Sequence, residues 1–176
     1  MLILVVEDEA LVGLVLVLAL VREGHDVLGP AGTAAEALAL AERTPPKLAL
    51  VDINLRNGGD GVGVARALLG RHGCPSLFVT GQVGRAHANR DAAWGFIRKP
   101  YDPEVVLRSV EVVEDLRVGR APRQVPRHLE LFHGPSRTAR GCRADRAAAR
   151  TGGTVPPGGA SRRGGCAGRR SPGVAA

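Results

Sequence analysis

Glu7 and Asp8 stand side by side near the start of the chain, and Asp52, Thr80 and Lys99 follow at wide intervals. Carboxylates, a hydroxyl and an ammonium are the groups that hold cations and handle anionic, oxygen-rich ligands. Taken singly, none of them carries that chemistry. An aspartate after a strand is often only a cap, a Thr-Gly pair a turn, and a lone lysine a solvated charge. Brought into one pocket, three carboxylates repel one another, so their pKa values rise or a cation sits between them. A hard ion with oxygen ligands, Mg²⁺ above all, suits two or three carboxylates, a backbone carbonyl and waters.

The elements that must position these groups are legible in the hydrophobic pattern. Short aliphatic runs recur at 2–6, 26–28, 48–51, 77–79 and 96–97, and each precedes a stretch with helical character: 9–23, 34–43, 61–71, a weak one at 84–93, and 103–118. Strand and helix alternating in this way give βαβ units and a parallel sheet with helices on both faces. Runs one, three and four are unbroken, which suits central strands covered on both sides. Thr33 with Glu36 forms a capping box, Gly24 sits where the first helix should stop, and Pro103 occupies a first turn. The fold expected is therefore α/β, a doubly wound five-stranded parallel sheet. Glu7 and Asp8 then follow strand one, Asp52 ends strand three, Thr80 ends strand four, and Lys99-Pro100 follows strand five. All project from the carboxyl edge, where ligands bind in such sheets.

The acidic pair, the DINL segment from Asp52, Thr80-Gly81 and GFIRKPY at 95–101, in this order and at these strand ends, resemble the receiver domain of two-component response regulators, a flavodoxin-like (βα)5 fold. The resemblance covers residues 1–119. It implies that Asp52 accepts a phosphoryl group from a sensor histidine kinase or histidine phosphotransfer protein. It further implies Mg²⁺ held by Glu7, Asp8, Asp52 and the backbone carbonyl of Asn54. The resemblance also implies that Lys99 pairs with a phosphoryl oxygen and that Thr80 donates its hydroxyl to another. Thr80 and Phe96 form the conformational switch on the surface of the fourth helix, fifth strand and fifth helix, read by a downstream protein target, and Pro100 is expected in the cis form. Glu7 stands where an aspartate is commoner, the RNGGDG loop after Asp52 is one residue longer than usual, and Phe96 lacks a tyrosine hydroxyl. Such a protein is a phosphoacceptor and not a turnover enzyme, with only self-phosphorylation and slow self-dephosphorylation expected.

Composition bounds the alternatives. Residues 1–119 hold 12 basic and 15 acidic side chains, a balance of −3, whereas residues 120–176 hold 12 and 2, a balance of +10. Arg, Gly, Ala and Pro dominate the second part, where LELF is the one apolar cluster, so it is expected to lack a fold. A basic tail of this kind could contact nucleic acid, which makes a transcriptional regulator one alternative. The segment has neither a helix-turn-helix pattern nor interleaved aromatics, so nucleic acid is not the expected partner; a solvated extension, or translation of GC-rich sequence out of frame, suits it better. Another alternative, a small Mg²⁺-dependent aspartyl-phosphate phosphohydrolase, needs a second acid at the position of Asn54. Three widely spaced cysteines support neither a disulfide framework nor a zinc site, and the glycines at 58–63 complete no nucleotide-binding motif. The apolar run 10–21 is too short to cross a bilayer, and a cytoplasmic setting is expected. Its apolar residues nevertheless cover every face of the first helix, and the last helix is also rich in valine. Both helices are thus expected to offer an interface, to a kinase bundle or to a second copy, with Val15 and Val17 outward; the helix 4 to helix 5 face offers another route to a homodimer.

Overall fold

In the computed structural model, which describes residues 1–55 and 59–132, alternate residues of each central strand enter opposite cores. Leu4, Val6, Ala49, Val51, Phe78 and Phe96 point into one, and Ile3, Val5, Leu48, Leu50, Leu77, Val79 and Ile97 into the other. This is the period-two alternation of a sheet covered on both faces. The strands are β1 (Leu2–Val6), β2 (Asp26–Ala31), β3 (Leu48–Val51), β4 (Asn54–Leu55), β5 (Gly59–Asp60), β6 (Ser76–Thr80), β7 (Gly95–Arg98) and β8 (Leu129–Leu131). Between them lie α1 (Ala10–Arg22), α2 (Ala34–Arg43), α3 (Gly61–His72), α4 (Val83–Ala88) and α5 (Pro103–Arg117). The main sheet has the order β2-β1-β3-β6-β7-β8, and β4-β5 is a separate hairpin. Helices α1 and α5 supply Leu16, Leu20, Val106 and Val110 to one core, while α2, α3 and α4 supply Ala37, Leu68 and Ala86 to the other. The α/β doubly wound parallel architecture is as the sequence predicts.

Local chemistry sets the helix ends. The Thr33 hydroxyl accepts the Glu36 N–H at 3.2 Å, and the Glu36 carboxylate accepts the Gly32 N–H at 3.0 Å. Gly24 takes a left-handed φ of 81° directly after α1. Helix α4 is shorter than the predicted 84–93: the Asn89 side-chain amide donates to the Arg85 carbonyl at 2.9 Å, capping the last turn before the chain bends towards β7.

The boundary read at Gly119 lies too early. LELF adds β8 antiparallel to β7, with Ile97 opposite Leu129 and Gly95 opposite Leu131, so the sheet has a sixth strand within the segment expected to lack a fold. Leu129 is buried with Ile97 and the α5 valines, and Phe132 lies 5.6 Å from Phe96, ring centre to ring centre. Gly95 makes the approach possible, since a Cβ there would fall 2.3 Å from the Glu130 carbonyl oxygen. The strand also satisfies backbone groups that an edge strand would leave unpaired. Residues 133–176 of the expected tail lie outside the described residues.

The expected apolar surface also divides. Val106, Val110, Val112, Val113 and Leu116 of α5 are buried, so its valines are core and not interface. In α1, Val15 is outward but Val17 packs against the core. Among the described residues no helix is long and apolar enough to cross a membrane.

Leu129→Ala is expected to lower stability by about 2 kcal/mol in urea unfolding. It should also speed amide exchange at Arg98 and Phe132, which donate to the His128 and Trp94 carbonyls; unchanged exchange would mean that β8 adds nothing to the sheet.

Candidate functional site

Ladder hydrogen bonds continue one residue past the strands and pin the groups that matter. The Asp52 N–H donates to the Val6 carbonyl at 2.9 Å, and the Lys99 N–H donates to the Thr80 carbonyl at 3.0 Å. Because β1, β3, β6 and β7 pair in parallel, with Val6 beside Val51, Val51 beside Phe78 and Phe78 beside Phe96, their carboxyl ends form one edge. The strand order reverses about β1, between β2 and β3, so this edge is also the switch point of the sheet.

The edge gathers the three predicted acids. Glu7, Asp8 and Asp52 each offer a carboxylate oxygen, all within 4.8 Å of one another, the one such group among the described residues. The Lys99 ammonium donates to Asp52 Oδ2 at 2.6 Å and to Glu7 Oε2 at 3.0 Å. Glu7 is 3 % exposed and Asp52 9 %. Asp52 Oδ1 accepts the Asn54 N–H at 3.0 Å, which orients the carboxylate. Thr80 is buried, and its hydroxyl accepts the Gln82 N–H at 3.0 Å. Phe96 is buried on the adjoining strand, against His87 of α4 at 5.4 Å and Phe132. The Lys99-Pro100 peptide is cis.

The electrostatics follow from burial. Desolvation pushes the Glu7 carboxyl up, and Lys99 only partly draws it back, with Asp52 adding to the rise. Burial opposes the charge on Lys99, but hydrogen bonds to Asp52 and Glu7 outweigh it and hold the ammonium above the usual lysine range. Lys99 thus bridges two of the three acids, and this hard-oxygen donor set suits a small divalent cation.

Two contributors escape the sequence reading. Arg85 of α4 donates to the Asn54 side-chain oxygen at 2.6 Å and to Asp60 at 3.2 Å, tying α4 to the hairpin that follows Asp52. Asp60 also caps α3 through the Val62 N–H. Gly61 is required by proximity: a Cβ there would meet the Asp52 carbonyl oxygen at 1.9 Å. Its place after Asp60 was visible only as part of a glycine-rich loop, and three residues of that loop, 56–58, lie outside the described ones. The second contributor is Tyr101, whose hydroxyl is buried with no hydrogen-bond partner among the described residues.

Two measurements test this balance. Glu7→Gln is expected to raise the Tm of the metal-free protein at neutral pH. A carboxyl whose pKa is raised on folding favours the fold below its unfolded value of 4.5 and loses that benefit as pH rises through the folded value, and Lys99 retains Asp52 as a partner. A lower Tm for this variant would refute that balance. Tyr101 is the single tyrosine, and burial pushes its phenol up to about 12 from 10.0. Its phenolate absorbance should therefore emerge near pH 12, and stability should fall as pH rises from 10 through 12.

Residues 3–111 match the family model described as response regulator receiver domain. The transcriptional regulatory protein PdtaR of Mycobacterium tuberculosis is 30 % identical over 113 residues, covering 62 % of this chain and 55 % of that protein. The phyllosphere-induced regulator PhyR of Methylorubrum extorquens is 35 % identical over 103 residues, covering 57 % of this chain and 39 % of that protein. The chain thus spans about half the length, or less, of these relatives. The crystal structure of a CheY-like response regulator receiver domain protein from Methanospirillum hungatei superposes with a TM-score of 0.59 at 29 % identity, covering 67 % of this chain and 98 % of that one. With a family match over more than half its length and the acidic edge in place, this chain belongs to the response regulator receiver domain family.

Proposed function

We propose that the chain is a phosphorylatable signalling receiver in which the Asp52 carboxylate takes a phosphoryl group from the phosphohistidine of a sensor histidine kinase or a histidine phosphotransfer protein. The observation that carries this reading is the convergence of Glu7, Asp8 and Asp52 within 4.8 Å of one another, with Lys99 2.6 Å from the Asp52 carboxylate. In the transfer a carboxylate oxygen of Asp52 forms the new P–O bond as the P–N bond to the donor imidazole breaks, and the freed imidazole keeps the electron pair. Glu7, Asp8, Asp52 and the Asn54 backbone carbonyl would hold Mg²⁺, which supplies charge neutralisation for phosphoryl transfer. Lys99 then exchanges its carboxylate partner for a phosphoryl oxygen. Thr80 offers its hydroxyl to another, and Phe96 responds to that movement.

The product is a signal read by protein contacts in a cytoplasmic pathway, with a downstream target on the surface that includes α4 and β7. Asn54 stands where a hydrolase would need its second acid, which disfavours catalytic turnover. Transcriptional output, the role named for PdtaR, would require a nucleic-acid-binding element beyond residues 1–132.

Incubation with Mg²⁺ and a small phosphodonor should add a single phosphoryl group by mass, absent in Asp52→Ala. Lys99→Ala should slow its appearance on the order of 10²-fold, the usual effect of removing one group that stabilises developing charge. No adduct with any donor would reject the proposal. Chelation of the metal should stop the reaction, and continued labelling would remove Mg²⁺ from it.

A further inference from the structure

Helix α1 carries two apolar faces. Gly13, Leu16 and Leu20 enter the core, whereas Leu11, Leu14, Val15, Leu18 and Val21 are exposed at 79, 48, 50, 60 and 53 %. The exposed residues 11, 14, 18 and 21 follow the 3-4-3 spacing of a coiled-coil seam, with Val15 alongside. Apolar patches of this kind on a monomer are uncommon and mark interaction sites.

We propose that this seam pairs with the same seam of a second copy, antiparallel, about a two-fold axis near the middle of α1. Three features select a second copy. The seam reads Leu-Leu-Leu-Val, almost the same in reverse, so antiparallel pairing sets Leu11 against Val21 and Leu14 against Leu18, each twice, as an isologous interface requires. The helix has no charged residue from Ala10 to Val21, but Glu9 precedes it and Arg22 closes its last turn. Antiparallel packing brings Glu9 of each copy near Arg22 of the other, although Glu23 follows that arginine, and opposes the two helix dipoles, whereas parallel packing would align them. Finally, an open groove of about 460 Å³ runs beside Leu11 and Val15, walled by Pro100, Tyr101 and Pro103; it lies where Val21 of the second copy arrives. Together the two faces would remove on the order of 1,000 Å² from water, the lower limit for a biological interface.

The proposal does not rest on the phosphoryl chemistry, although Lys99 also lines the groove, and it is tested by mass in solution with the full chain. Sedimentation should give twice the 18.3 kDa chain mass, and Leu14→Glu and Leu18→Lys should each give a monomer of unchanged circular dichroism. An equimolar mixture of these two variants should regain the dimer, because antiparallel pairing sets position 14 of one chain against position 18 of the other. Several results would overturn the proposal: a monomeric wild type at all concentrations, a dimer that persists in both variants, or a mixture that stays monomeric. A seam that pairs only with helices of a different protein would overturn it as well.

Discussion

The ammonium of Lys99 between the carboxylates of Glu7 and Asp52 is the interaction on which the site depends. Three carboxylates that converge within 4.8 Å repel one another, and the Lys99 ammonium, from within the chain, donates to two of them. It can do so only because β7 lies two strands from β3 and three from β1 in a parallel ladder. Register brings the end of each strand to the same edge, and the bonds from Asp52 to Val6 and from Lys99 to Thr80 carry that register into the loops. The charge of the site is thus an outcome of strand order. An error of one residue in any of the pairings would turn a carboxylate into the hydrophobic core.

This explains which parts of the site were legible in the amino-acid order. Glu7, Asp8, Asp52, Thr80 and Lys99 each follow an aliphatic run, and a parallel sheet converts the end of a run into a position at the edge. Arg85 left no such trace. It lies in a helix of six residues too short for periodicity to announce, and its partners Asn54 and Asp60 belong to a hairpin formed after Asp52. Its role follows from the meeting of a helix and a hairpin distant in sequence, which no local spacing records. The short strand β8 was hidden for a related reason. Three residues cannot show alternation, and the surrounding Arg, Gly and Pro resemble a chain with nothing to bury; only the unclaimed edge of β7 gives LELF a place.

The two helices on the α1 face show the limit of composition as a guide. Both are rich in valine and leucine, yet α5 buries its apolar side while α1 leaves five large side chains in water. The difference lies in the arrangement. Helix α5 interrupts its valines with Glu104, Arg108, Glu111 and Glu114, at helical spacing along a solvent face. Helix α1 has no charge over the same length, so whichever face meets the sheet, the opposite one is apolar. Contiguous apolar faces of this kind mark interaction sites.

The aromatic cluster beside the site links the added strand to the proposed switch. Phe96 touches His87 of α4 on one side and Phe132 after β8 on the other, and His87 and Phe132 lie 5.5 Å apart. His87 also reaches the Glu130 carboxylate at 3.3 Å. Close-packed side chains of this size do not deform smoothly; they hold one arrangement or exchange it for another. A movement of Phe96 must therefore be taken up by α4, by β8, or by both. In a domain ending at α5 the edge of β7 would be free to meet a partner. Here that edge is already paired by residues 129–131, and the contact of Phe132 with Phe96 joins the added strand to the core beside the site.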